Sequence, residues 1–268
     1  MELEQIFNRL WKDYSEQNPS ATAVRRLFTE RGEKVVNDHV AFRTFNDPRM
    51  NIDVLARPFV EQGYRAAGEY RFGKKHLYAR HFELPGREEE PRIFISELLL
   101  EEFSPALQEP VREAIAAADP AVWGEKDLLF RGNVFGLPSY ASYESLRKES
   151  EYAAWLYVHG FRANHFTVSV NRLDGFGGIE EVNRVLKEQG FVLNASGGEV
   201  KGSREACLKQ SSTLADIVPV RFSEGTREVP ACYYEFAERF PDRSGKLFSG
   251  FLADSADKIF ESTDFYRK

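Results

Sequence analysis

One order of features occurs twice along the chain. NDHVAFRTF, residues 37–45, and ANHFTVSVNR, residues 163–172, are alternating, strand-like runs with a histidine near the start, His39 and His165. Each run is followed by a helical stretch, Asn51 to Gln62 and Gly178 to Glu188. Each stretch closes on the same Glu-Gln-Gly, with Gly63 and Gly190 placed as C-terminal caps. Strands then return. In the first unit they are expected at Tyr64 to Phe72, Leu77 to Glu83 and Arg92 to Leu98; in the second, near Phe191 to Leu193, Ala206 to Gln210, Ile217 to Phe222 and Ala231 to Phe236. The offset between matching residues is 126 at the histidines, 127 at the Gln-Gly pairs and 138 at two embedded acids, Glu97 of ISEL and Glu235 of YYEF. The second unit is therefore expected to carry longer loops among its last strands. A repeated strand, helix and three strands predicts an α+β fold of two modules on one plan.

The rest of the chain frames these modules. Residues 1–33 read as two helices, because Leu3, Ile6, Phe7, Leu10 and Trp11, then Val24, Leu27 and Phe28, recur at three- and four-residue steps around Asn18-Pro19. The first module is expected over 34–103, a helical connector over 104–160 and the second module over 161–268, the whole forming one functional unit. A hydrophobic share of 42% in 268 residues is ample for a core. The net charge of −6 argues against a nucleic-acid surface, which needs clustered basic residues. No apolar run is long enough to span a membrane, and the first residues lack the basic charge of a signal peptide. Two distant cysteines, Cys207 and Cys232, suggest neither a disulfide framework nor a zinc cluster, so a reducing cytoplasm is expected.

Alternate residues of a strand share a face. His39, Ala41 and Arg43 thus stand together, opposite Val40, Phe42 and Thr44, while His165, Thr167, Ser169 and Asn171 stand opposite Phe166, Val168 and Val170. Ala231, Tyr233, Glu235 and Ala237 share a face of a third strand. If these strands curve around one cavity, two neutral imidazoles and a carboxylate meet there. That is the facial ligand set of non-haem Fe(II), which also accepts Zn(II), Mn(II) or Co(II). It leaves half of the coordination sphere for a chelating substrate and for dioxygen or water. The same residues have plainer readings: a strand histidine is commonly a core residue, and Glu235 is equally well explained by an arginine or lysine partner. Glu97 is the symmetric alternative ligand, although Glu101 and Glu102 beside it favour a solvated strand end. His76, His81 and His159 have no counterpart in the repeat and read as structural or surface residues.

Arg43 is either half of a salt bridge to a buried acid or a planar clamp for a substrate carboxylate. Four strand residues set its α-carbon roughly 13 Å from that of His39, a gap suited to a short dicarboxylate. Its counterpart in the second unit is Ser169, the other candidate substrate contact, so only the first module offers a charge to the far end of the substrate. Lys201, Arg204 and Lys209 add positive potential, two of them from loop-like positions.

NDHVAFRTF, NHFTV, YYEFAERF and the closing GFLADSADKIFEST together resemble the 2-oxoadipate dioxygenase/decarboxylase family, over nearly the whole chain. The resemblance implies a fold of vicinal-oxygen-chelate type, in which two βαβββ modules form a curved mixed sheet around a metal cavity. It implies Fe(II) held by His39, His165 and Glu235, with Arg43 on the substrate. The implied reaction turns 2-oxoadipate, chelated through its 1-carboxylate and 2-oxo group, and dioxygen into 2-hydroxyglutarate and carbon dioxide, in lysine catabolism. The implied partners are a small anionic 2-oxo acid and dioxygen, with no nucleic acid or membrane. The fold would also admit a redox-inert lyase, isomerase or hydrolase using Zn(II) or Mn(II), or a small-anion-binding module.

Overall fold

Helix α1 (Leu3–Gln17) turns Leu3, Ile6, Leu10 and Tyr14 to one side, and α2 (Pro19–Glu30) presents Ala21, Val24 and Phe28 to the same core. The first module follows as β1 (Asn37–Phe45), α3 (Ile52–Val60), β2 (Arg65–Phe72), β3 (Leu77–Glu83) and β4 (Arg92–Leu98). Three helices, α4 (Pro105–Ala117), α5 (Tyr140–Glu149) and α6 (Glu151–His159), connect it to the second. That module comprises β5 (Ala163–Ser169), α7 (Ile179–Glu188), β6 (Lys201–Ser203), β7 (Leu208–Ser212) and β10 (Tyr233–Arg239), with a hairpin of β8 (Ile217–Phe222) and β9 (Gly225–Pro230) inserted before its last strand. Helix α8 (Ala253–Phe260) ends the chain described by the computed structural model, residues 1–263; positions 264–268 of the expected second module lie outside the described residues. No helix among the described residues is long and apolar enough to cross a membrane.

The two modules share one eight-stranded sheet in the order β2-β3-β4-β1-β5-β10-β7-β6. At its centre β1 and β5 run antiparallel. Each has a parallel neighbour on its outer side, β4 and β10, and that neighbour is paired antiparallel with β3 or β7. His39 lies opposite Thr167 and Ala41 opposite His165, so a two-fold rotation that exchanges the modules carries His39 onto His165. The repeated glycines do what their positions predict: Gly63 and Gly190 follow α3 and α7 with φ of +97° and +85°, a region that favours glycine.

Two expected strands are corrected. Phe191 to Leu193 forms only a single bridge, Leu193 to Thr213. The chain turns instead through Gly197 and Gly198, and the outermost strand is the three-residue β6, which begins at Lys201. Ile217 to Phe222 is a strand, but it pairs only with β9 and stays outside the main sheet.

One face of the sheet carries Val40, Phe42, Phe166, Tyr234 and Phe236, all buried. Helices α1, α2 and α3 cover it through Trp11 against Phe166 (5.1 Å between ring centres), Phe28 against Phe236 (6.1 Å) and Phe59 against Phe42 (5.8 Å). Each such side chain contributes about 1.5–3 kcal/mol by leaving water. The other face carries His39, Arg43, His165 and Glu235. Helix α6 closes its Arg43 end, where the Tyr152 hydroxyl bonds to the Ser96 carbonyl at 2.6 Å, and the segment from Phe251 through α8 lies over its middle.

Candidate metal centre

Two β-bulges prepare the histidines. Between Asn37 and His39 the β1–β5 register gains a residue on β1, and between Ala41 and Phe42 it gains one on β5; the extra residues are Asp38 and Asn164. A bulge re-aims a side chain that strict alternation would send to the opposite face. Asp38 Oδ1 thereby reaches His39 Nδ1 at 2.8 Å, and Asn164 Oδ1 reaches His165 Nδ1 at 3.0 Å. Carboxylate and amide oxygens are acceptors, so each Nδ1 carries the proton and each Nε2 is left with a bare lone pair. Both Nε2 atoms point at Glu235: His39 Nε2 lies 3.6 Å from its Oε1 and His165 Nε2 lies 3.2 Å from its Oε2. One ligand atom from each of the three residues falls within 4.8 Å of the others.

The electrostatics of this cluster favour a cation. Burial, first, and then the neighbouring imidazole and Arg43 push His165 well below its usual value; burial likewise lowers His39, against the pull of Asp38. Both rings are therefore neutral. Burial pushes the Glu235 carboxyl up to about 8, although the Gln210 side chain donates to its Oε1 at 2.6 Å. Glu235 Oε2 has no hydrogen-bond partner among the described residues. Lone pairs converging in a buried space repel one another unless a proton or a cation sits between them, and a divalent ion would take the place of the proton that burial favours on Glu235. The residues fit such an ion. Thr167 Oγ1 lies 3.1 Å from His39 Nε2, within reach to donate to it.

A further layer holds the first histidine. Arg239 is buried and grips Asp38 with two bonds, Nε to Oδ2 at 2.7 Å and Nη2 to Oδ1 at 2.8 Å. Burial alone would raise the Asp38 carboxyl, but Arg239 and His39 overcome it and hold the group well below the usual range. Arg239 Nη1 donates to the carbonyls of Phe248 and Gly250 at 3.0 and 2.7 Å. One guanidinium thus ties the histidine-orienting carboxylate to the start of the closing segment. Asp38, Asn164, Gln210 and Arg239 are absent from the sequence-level expectations. For Asp38 and Asn164 the signal is the polar residue directly before each histidine, hidden by the assumption of unbroken alternation.

Arg43 forms a salt bridge to an acid, the first of its two expected readings. It is buried, its Nη1 donates to Glu151 at 2.9 Å and its Nη2 to Thr263 Oγ1 at 3.2 Å, while Tyr152, Trp155 and Phe260 surround it as ring faces. Its Nε has no partner among the described residues. Ser169 sits at the opposite end of the antiparallel β1–β5 pair, its amide on the Val36 carbonyl at 2.9 Å, so the structure does not bring it to Arg43. The cavity lined by His39, His165, Glu235, Phe94, Phe251 and Phe260 has a volume of about 10 Å³, room for one water-sized particle.

Register corrects the repeat at its last strand. His39 lies opposite Arg92 on β4 and His165 opposite Tyr233 on β10; two residues further on come Phe94 and Glu235. The counterpart of Glu235 is therefore Phe94. Glu97 lies on the other face and accepts the Ile52 amide at 3.1 Å, at the start of α3. None of the remaining histidines joins the triad. His81 is buried between Tyr70 (2.8 Å) and Glu83 (3.0 Å), and His76 pairs with Glu102 at 2.7 Å. His159, pushed down to about 3 by burial, meets the Pro230 carbonyl at 2.8 Å. Lys201 is buried on β6, Lys209 pairs with Glu180, and Arg204 lies over the Phe240 ring.

Comparison with known proteins agrees with this architecture. The chain matches the family model for 2-oxoadipate dioxygenase/decarboxylase over residues 3–122 and 130–247. It is 36% identical to the 2-oxoadipate dioxygenase/decarboxylase of Oryza sativa subsp. japonica, over 96% of this chain and 78% of that protein. Among solved structures, the Oryza sativa hydroxyglutarate synthase in complex with 2-oxoadipate superposes with a TM-score of 0.90 at 35% identity, covering 97% of this chain and 91% of that one. A Shewanella frigidimarina protein described as a hydrolase superposes with a TM-score of 0.89 at 47% identity, over 94% and 98%. A glyoxalase-superfamily protein of Ralstonia eutropha, at 0.73 and 25% identity over 90% and 83%, extends the likeness to vicinal-oxygen-chelate folds. With two modules of that type around a buried His-His-Glu cluster, the chain belongs to the 2-oxoadipate dioxygenase/decarboxylase family.

Proposed function

We propose that this protein is an Fe(II)-dependent dioxygenase that converts 2-oxoadipate and O2 into 2-hydroxyglutarate and CO2, with His39, His165 and Glu235 as the metal ligands. The observation that carries the reading is the convergence of two unprotonated Nε2 atoms and an unpartnered carboxylate oxygen in one buried space, on a chain of this family. Fe(II) held there would supply the one-electron chemistry that dioxygen requires and a Lewis acid for a chelating 2-oxo acid. The chain supplies the geometry. Asp38 and Asn164 hold the imidazole Nδ1 protons, and Gln210 fixes the orientation of Glu235. Arg43, on the ligand face of β1 and one strand turn beyond the triad, would take the distal carboxylate, so that the substrate's length is measured between a metal and a guanidinium. The segment from Phe248 to Thr263 would keep water from the reacting centre once substrate is in place.

A second reading has one observation in its favour, the Shewanella relative described as a hydrolase: the same ligands would hold Zn(II) or Mn(II) for redox-inert chemistry. One experiment separates the two. Protein loaded anaerobically with Fe(II) and 2-oxoadipate, then given oxygen, is expected to consume one O2 for each CO2 released. Turnover with Zn(II) and no oxygen uptake would support the hydrolytic reading, and binding without turnover would reduce the protein to an anion-binding module. The free thiols of Cys207 and Cys232 suit a reducing compartment such as the cytoplasm.

A further inference from the structure

Tyr233 stands on the ligand face of β10, two residues before Glu235, and pairs across the sheet with His165. Its ring stacks on the His165 imidazole at 4.7 Å and 25°, and its other neighbours include Ile259 of α8. The side chain is 1% exposed, and its hydroxyl has no hydrogen-bond partner among the described residues. A buried hydroxyl left unpaired is costly, so it calls for an explanation.

Position supplies one. Glu235, Thr167 and His39 form one row across the sheet; Tyr233, His165 and Ala41 form the next; Arg43 lies one row further along β1. Tyr233 thus falls between the triad's carboxylate and the guanidinium along the sheet. Arg43 Nε is likewise a buried donor with no partner among the described residues. Two orphaned donors, one N–H and one O–H, complement the two oxygens of a carboxylate.

Resting on the reading of Arg43 as the substrate clamp, we infer that the Tyr233 hydroxyl and Arg43 Nε together grip the distal carboxylate of the 2-oxo acid, which makes Tyr233 a specificity-determining residue. Orphan status alone does not carry this. Tyr234, the next residue, also lacks a hydroxyl partner, but it lies on the opposite face against Trp11, Tyr14 and Phe236 and supplies the control.

Tyr233→Phe keeps the stack on His165 and removes only the hydroxyl. Its metal content and unfolding temperature are expected to equal or exceed those of the parent, because an unpaired buried group has been deleted. The KM for 2-oxoadipate is expected to rise roughly ten- to a hundredfold, as for a lost bond to a charged acceptor, with a much smaller change in kcat. A six-carbon 2-oxo acid with a methyl in place of the distal carboxylate should show no such change, and Tyr234→Phe should behave as the parent with both. Thermal stabilisation by glutarate, which needs no turnover, should fall in Tyr233→Phe in the same proportion; it tests the contact even if the oxygenase reading fails. An equal KM rise for both 2-oxo acids, an unchanged response to glutarate, or a marked drop in unfolding temperature would each overturn the assignment.

Discussion

Asp38 holds the Nδ1 proton of His39 at 2.8 Å from within a bulge, and the same carboxylate is held by Nε and Nη2 of Arg239. Orientation of His39, burial of an ion pair and attachment of the closing segment therefore meet in one pair of side chains. Asp38→Asn keeps an acceptor for the histidine but removes the charge opposite Arg239. Metal affinity, measured by chelator competition, is expected to fall roughly 10–100-fold. Stability should drop by about 3 kcal/mol, the low end for a broken buried ion pair, because the amide still accepts one bond. An unchanged metal affinity would mean that the tautomer is fixed without Asp38.

Arg43→Lys replaces a planar fork by a point charge that cannot reach Glu151, Thr263 and a substrate together. The variant should keep its metal while its KM for 2-oxoadipate rises at least tenfold. A neutral-tailed 2-oxo acid should be nearly unaffected, and steady-state kinetics with both compounds measures the contrast. Equal losses with the two substrates would contradict the clamp.

A volume of about 10 Å³ beside the triad cannot hold a six-carbon acid, so Phe251, Phe260 and α8 must give way for substrate to enter. Amide hydrogen exchange should be faster in α8 than in β1 and β5, and should slow in α8 when 2-oxoadipate is bound to the metal-loaded protein. Protection of α8 equal to that of the central strands, with and without ligand, would contradict this account of entry.

The inserted hairpin is fastened by Glu224, whose carboxylate accepts from the Ser139 hydroxyl at 2.9 Å and from the Tyr140 and Ala141 amides at 2.8 and 3.2 Å, at the start of α5. The Tyr140 amide first, and then Ser223, Ala141 and Ser139, lower its carboxyl from 4.5 to about 2. A carboxyl depressed in the folded state stabilises above its unfolded value and loses that contribution as pH falls towards its folded value. Acid unfolding of the parent and of Glu224→Gln should therefore differ at pH 6 and converge between about pH 4.5 and 2. A difference that persisted unchanged at pH 2 would remove the carboxylate from the explanation.

The triad was legible because alternation is robust in central strands: His39, His165 and Glu235 fall on one face by counting in twos, and the repeat places the two histidines on equivalent strands. Asp38 and Asn164 were not legible for the same reason, since counting in twos sends them away from the histidines they hold, and a bulge leaves no mark in composition. Glu97 was matched to Glu235 by residue type, whereas the ladder pairs positions and puts Phe94 there. The outermost strand was misplaced because β6 is three residues long and follows a Gly-Gly turn, too short to show a period. The role of the last helix as a cover depends on where its apolar face lands, which hydrophobic spacing alone does not specify.

The claim on which the rest depends is that His39, His165 and Glu235 bind one metal ion. Metal analysis of the parent chain and of His165→Ala, purified side by side and equilibrated with Fe(II) under anaerobic conditions, tests it directly. One iron per parent chain and essentially none in a folded His165→Ala is the predicted result; an equal iron content in the two proteins would contradict the ligand assignment.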